Sequence, residues 1–369
     1  MLPDVLTLPD GRRAVDPTTW REVFRPALIE LLASHIYGHA PSAPAIIAER
    51  QASGELERGV WEHWRIRVWP DVRPLSVLLC LPHGDRPAPC YVGFNFHGNH
   101  SLLDTKELPL PGGTGAYGEP QEADRGRAGP DWCLKGMLRR GWGLCTAYYG
   151  ELEPDRSDGP ALSRIWRDGG FAPDAGAISA WAWLLSRLVD LLMKDRRVDA
   201  SRLVAVGHSR LGKTALLATA RDPRLAMAVA NGSGCGGAGS FREPSPGAET
   251  LAQILRFTHW FHPQLGPDPQ AQPLDMHHLL ACIAPRPVLL TNAEDDDWAD
   301  QRGQLRTLQA AAPAWRLLGS GATPPAVMPA LGSGPDGTVL RYAYRVGPHC
   351  LCPADWSAIF AATAADLPG

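Results

Sequence analysis

The sequence has 369 residues and a mass of 39.9 kDa, enough for a sizeable core. Thirty-six Lys and Arg against 39 Asp and Glu leave a net charge of −3, which excludes a basic nucleic-acid binder and an acidic solvating tail as whole-chain readings. Hydrophobic residues supply 44% and charged ones 20%, so the chain is globular, and no apolar run reaches the ~18 residues of a membrane span.

The first ten residues lack the basic start and apolar run of a signal peptide. The chain therefore reads as cytoplasmic as written, or as secreted or periplasmic if a leader has been removed. Eight cysteines are scattered, several within strand-like runs, and read as free thiols. Cys350 and Cys352 lie beside His349, but no second cysteine pair at ligand spacing supports a metal site.

In chain order, residues 20–36 carry a helical pattern that stops near Gly38. Residues 61–69 and 75–81 read as two strands separated by Pro70 and Pro74, and 91–96 as a third. A Gly- and Pro-rich loop follows over 104–131, then a helix over 133–140, a strand over 143–149 and a loop over 150–173. Residues 177–194 give the clearest helix: Ile178, Trp181, Leu185, Leu188 and Leu192 recur at spacings of three and four. A buried strand over 203–206 enters a sharp turn at Gly207, and a helix over 211–219 follows. Strand 225–230, helix 250–261, strands 288–291 and 340–346 and helix 355–364 complete the chain. Strands alternating with helices predict an α/β fold with a mostly parallel sheet covered on both faces. No linker divides it, so residues 1–369 read as a single domain.

The turn Gly207-His208-Ser209-Arg210-Leu211-Gly212-Lys213-Thr214 fits two motifs. As G-x-x-x-x-G-K-[ST] it matches a phosphate loop, with Lys213 reaching phosphates and Thr214 holding magnesium. As strand–Gly-x-Ser–helix it matches a nucleophile elbow, although Leu211 stands where a second glycine usually follows the serine. The rest of the chain favours the elbow. About four strands precede residue 207, and a hydrolase then needs an acid and a histidine in that order. The run Glu294-Asp295-Asp296-Asp297 follows one late strand and His349 follows the next. A serine hydroxyl needs a base to take its proton, and an imidazole held in one tautomer by a carboxylate does this. His277-His278 read as packing or capping near Asp275, and His35 and His39 as structural. His97 and His100 follow the third strand, a place where oxyanion donors gather.

These motifs resemble carbohydrate esterase family 15, the glucuronoyl esterases, in its bacterial form. The resemblance rests on Ser179-Ala180-Trp181-Ala182-Trp183, Val198-Asp199-Ala200, the turn 207–213, and Ser233-Gly234-Cys235-Gly236-Gly237-Ala238. Residues 279–287, 294–300 and 347–356 continue it, as do 96–99 and 140–154, so it spans roughly residues 35–360. It implies an α/β-hydrolase fold, a three-layer sandwich around a mostly parallel sheet. It also implies a serine esterase acting on (4-O-methyl)glucuronate esters, as in xylan–lignin linkages. Ser209 matches the nucleophile, His349 the base and Arg210 an oxyanion-hole arginine. Lys213, Glu249 and Trp298 match sugar-binding residues, with Ala248 replacing a glycine expected before Glu249.

Two departures stand out. Fungal members carry the catalytic acid where this chain has Gly232; alignment on Trp298 moves it to Asp296, with Asp295 and Asp297 as rivals. Fungal members also bridge a cysteine beside the nucleophile to one beside the histidine, whereas His208 stands at the first position here. The expected enzyme is a monomer without cofactor or metal. It acts on a glucuronate ester or glucuronoxylan-derived substrate and has no nucleic-acid or membrane partner. An acetyl esterase acting on sugars, a phosphate-loop NTPase and a non-catalytic carbohydrate binder are the alternatives.

Overall fold

Nine strands assemble into one sheet in the computed structural model, which describes residues 2–70, 72–156 and 174–368. Most of the loop expected over 150–173 lies outside the described residues. The strands are β1 (Ile47–Leu56), β2 (Gly59–Arg67), β3 (Leu75–Pro82), β4 (Ala88–Asn95), β5 (Gly143–Tyr148), β6 (Val198–His208), β7 (Met227–Asn231), β8 (Val288–Ala293) and β9 (Leu340–Arg345). Their spatial order is β1-β2-β3-β5-β4-β6-β7-β8-β9. The first three pair antiparallel, β3 joins β5 antiparallel, and every pairing from β5 through β4 to β9 is parallel.

The parallel strands are apolar nearly throughout because helices cover both faces. Alternate residues of each strand serve opposite layers. Leu79, Ala205, Ala228 and Leu290 pack into one cluster with α1 (Arg25–Leu32), α3 (Ala177–Leu192), α4 (Arg210–Arg221), α6 (Met276–Ala281) and α7 (Gln301–Leu317). Leu78, Val204, Met227 and Leu289 pack into the other with α2 (Leu134–Arg139) and α8 (Pro353–Asp366). This is the three-layer α/β-hydrolase arrangement. No helix among the described residues is long and apolar enough to cross a membrane.

Three elements differ from the expectation. Strand β1 carries no apolar alternation; it is largely exposed and held by its ladder to β2. The helix expected over 250–261 shrinks to α5 (Leu251–Ile254), followed by turns that stack Trp260 on Phe257 at 3.9 Å. The long helix α7 contains Gly303 and Pro313, which obscure its helical signal in the sequence.

Candidate active site

Strand β6 delivers the chain to the middle of the sheet, and Ser209 turns it into α4 with φ 55° and ψ −126°. A non-glycine residue at positive φ is strained, and such strain gathers at functional sites. Close crossing makes the turn possible: a β-carbon on Gly207 would stand 2.0 Å from the Leu211 carbonyl oxygen. Gly212 supplies the second close approach, against Ser233 and Asn231, so Leu211 is tolerated where the usual motif has glycine. The Ser209 amide donates to Asn231 at 2.8 Å, and its side chain does not cap the helix. The phosphate-loop reading loses its ligands here. Thr214 Oγ1 donates to the Arg210 carbonyl at 3.0 Å, and the buried Lys213 ammonium donates to the Ser233 carbonyl.

Past the end of β8, Asp296 is buried and its Oδ2 lies 2.5 Å from His349 Nδ1. Asp295 and Asp297 are exposed, and Asp297 Oδ1 instead accepts from Gln301 Nε2 at 3.0 Å. Backbone bonds join the two loops, Glu294 N to Arg345 O at 2.8 Å and Asp295 N to Gly347 O at 3.1 Å. The Arg345 guanidinium grips the histidine loop from within. It donates to the carbonyls of Val346, Pro348 and Cys350 at 3.1, 3.2 and 2.6 Å. Its Nε donates to Asp355 at 2.8 Å. Asp355 accepts from Asn231 Nδ2 at 2.9 Å, and Asn231 Oδ1 meets His208 Nδ1 at 2.5 Å. Because Asn231 spends its amide protons on Asp355 and Thr291, its oxygen faces His208, which therefore carries its proton on Nδ1. Burial, and then the neighbouring His349, push the His208 pKa down to about 3. Its neutral ring sits 4.4 Å from that of His349.

Arg210 is anchored through Asp155. The carboxylate is buried and the arginine half-buried, and the guanidinium lies over the Trp260 ring at 4.5 Å. Asp155 also accepts from Tyr149 Oη, His259 Nε2 and Trp260 Nε1 at 2.8, 2.7 and 2.8 Å. Burial alone would raise its pKa, but these donors and Arg210 outweigh it and hold the carboxyl well below its usual range. One turn along α4, Lys213 shares its surroundings with Glu249, and burial drives both toward neutrality: the lysine pKa goes down and the carboxyl pKa up. Arg256 reaches toward Glu249 at 3.6 Å and lies over the exposed Trp298 ring at 5.3 Å. Lys213, Glu249 and Trp298 thus stand together.

The family "Glucuronyl esterase, fungi" matches residues 169–319. Carbohydrate esterase MZ0003, from an unknown prokaryotic organism, is 32% identical over 96% of this chain and 87% of its own. A glucuronoyl esterase structure from Solibacter usitatus is 32% identical with a TM-score of 0.91, covering all of this chain and 98% of that one. The chain belongs to carbohydrate esterase family 15. A promiscuous member of the family from a marine bacterial metagenome superposes with a TM-score of 0.89 at 28% identity, over all of this chain and 97% of that one. The 4-O-methyl-glucuronoyl methylesterase 1 of Sodiomyces alcalophilus is 32% identical over 41% of this chain, only a third of its own length.

As a family member the chain has features that the motifs did not disclose. Asp155 stands one residue past the quoted resemblance, and only a carboxylate following Pro154 marks it. Arg345, a charge at the end of an otherwise buried strand, was a signal in plain sight. His100 is tied to the Gln121 carbonyl at 2.9 Å, and His39 to Asp174 and Glu30. His278 belongs to the Asp275 cap of α6.

Proposed function

We propose that residues 1–369 form one catalytic domain that hydrolyses esters on the carboxyl of (4-O-methyl)glucuronic acid, the bond that joins xylan to lignin. Ser209 Oγ attacks the uronoyl carbonyl carbon and gives its proton to His349 Nε2, while Asp296 holds Nδ1–H and stabilises the imidazolium. Arg210 and the first free amides of α4 face the oxyanion. The tetrahedral species collapses and the alcohol leaves with the proton from His349. Water then gives a proton to His349 and attacks the acyl-enzyme carbon. Ser209 leaves with that proton, and the free uronate is released. The 2.5 Å contact between His349 and Asp296, together with Ser209 on a strained turn at the end of β6, is the observation that carries this reading. Lys213, Glu249 and Trp298 support a sugar on the acyl side, which an acetyl esterase would not require. Hydrolysis of benzyl glucuronate, an aryl acetate and ATP should be measured side by side. The uronate ester is expected to be turned over fastest and ATP not at all. Ser209→Ala should lower the ester rate by about 10⁵- to 10⁶-fold in a folded protein, and an unchanged rate would remove Ser209 from the mechanism.

A further inference from the structure

Helix α4 leaves Ser209 at one end and stops at Arg221 at the other, about 18 Å away along its axis. At that far end a groove of about 650 Å³ runs between α1, α3 and the segment that leads into β1. Its lining sets four arginines, Arg25, Arg187, Arg221 and Arg224, against Glu30 and Asp222. Both carboxylates are engaged already: Glu30 meets His39 at 3.0 Å, and Asp222 meets Arg224 at 2.6 Å. Arg25 and Arg221 donate only to neutral groups. Arg25 reaches the carbonyls of Cys282 and Ala220 at 2.9 and 2.6 Å, and Arg221 reaches Ser179 Oγ and the Gly38 carbonyl at 2.7 and 2.9 Å. Behind them Arg286 donates to backbone carbonyls alone. Among the described residues none of these three cations has a carboxylate within ion-pair distance. Burial pushes the pKa of Arg221 and of Arg286 down to about 10.

We propose that this groove binds a small oxyanion, a carboxylate or a phosphate, between Arg25 and Arg221 at the end of α4 remote from the nucleophile. The inference stands apart from the glucuronate reading above. Three observations carry it. The first is the charge left over: the C-terminus of α4 supplies only about half a negative charge, too little to balance three guanidinium groups, and buried cations without a counterion are costly. The second is the set of donors left over. A guanidinium has five N–H groups in one plane; Arg25 keeps those of Nη1, and Arg221 keeps that of Nε, the planar kind of donor that suits carboxylate and phosphate oxygens. The third is Arg187, whose side chain is only 4% exposed. Its Nε donates to Asp190 at 2.6 Å, but its buried Nη1 has no acceptor, on the wall of the same groove. Two sources carry this chemistry, a free sugar acid such as glucuronate and inorganic phosphate.

The test is calorimetric titration with glucuronate, with inorganic phosphate and, as a neutral control, with glucose. Arg210 and Lys213 offer an anion a second place, so the groove is read as the binding that two groove variants remove. Arg221→Gln takes away one cation. Ala43→Glu plants a competing carboxylate on the exposed lining and leaves the interior untouched, so it decides the matter if Arg221→Gln fails to fold. Each should weaken anion binding at least about tenfold, the loss of hydrogen bonds to a charged group. Weakening for glucuronate alone identifies a sugar acid, for phosphate alone a phosphate, and for both a site that reads only the oxyanion. In Ala43→Glu, kcat/KM on methyl glucuronate should stay within about twofold, since the groove takes no part in the reaction. Unchanged anion affinity in Ala43→Glu, or glucose bound as tightly as the anions, overturns the site and leaves the glucuronate reading standing. A loss of turnover that matches the loss of binding also overturns it, by placing the bound anion in the catalytic pocket.

Discussion

Gly232 lies against the ring of His349: a β-carbon added there would stand 3.0 Å from Cε1, 3.1 Å from Nδ1 and 3.2 Å from Asp296 Oδ2. Its φ of +51° also disfavours any side chain. This is the position at which the fungal resemblance places the acid. Bare backbone here leaves room for Asp296 to reach the same imidazole nitrogen from the loop after β8.

Both halves of that relationship can be tested. Asp296→Asn should lower kcat by about 10³- to 10⁴-fold, because the amide no longer holds the imidazole in the required tautomer. Gly232→Ala should displace the ring, lowering kcat at least about tenfold, and should cost ~1–2 kcal/mol of stability through its left-handed backbone. Steady-state kinetics with calorimetry on each variant checks both.

Lys213→Met should lower kcat/KM on methyl glucuronate by ~1.5–3 kcal/mol, the range for hydrogen bonds to a charged group. On an aryl acetate, which offers no ring hydroxyls, the loss should be smaller. Equal losses would mean that the lysine supports Ser233 and the turn rather than the sugar.

Asp155→Asn keeps the shape of the side chain but removes the charge that orients Arg210. Its effect should fall on kcat, by about 10²- to 10³-fold, with a smaller change in KM, because the oxyanion exists only along the reaction path. A KM rise at constant kcat would place Arg210 in ground-state binding instead.

Stability should fall in mild acid. Burial holds His208 and His278 neutral down to about pH 3 and His277 down to about pH 4, whereas the unfolded chain protonates all three near ~6.5. Between those values the unfolded state binds more protons, so stability drops as pH falls through 6.5. Buried Glu151, pushed up to about 7, opposes this by losing stability as pH rises from ~4.5 to 7. His63, also pushed down to about 4, adds to the three, so four groups outweigh one, and urea unfolding should show a loss of roughly 3–5 kcal/mol from pH 6.5 to 5.

Much of this was legible in the residues. Apolar periodicity revealed α3 and the parallel strands, and the order serine, acid run, histidine revealed the hydrolase plan. The choice of Asp296 over its neighbours needed the fold, since three adjacent aspartates differ only in which one the turn buries. Strand β1 was invisible because an edge strand gains its order from pairing, not from an apolar face. Asp155 was invisible because its meaning lies in partners 55 and about 105 residues away in the chain.

The chain of bonds from His208 through Asn231, Asp355 and Arg345 to the Cys350 carbonyl joins the two segments that fungal relatives are expected to cross-link through sulfur. Cys350 itself is a free thiol. A tether of this kind has no reduction potential. Glutathione or dithiothreitol finds no bond to cut between the nucleophile and its base, and assembly of the site requires no oxidant. The active geometry therefore does not depend on an oxidising medium around it.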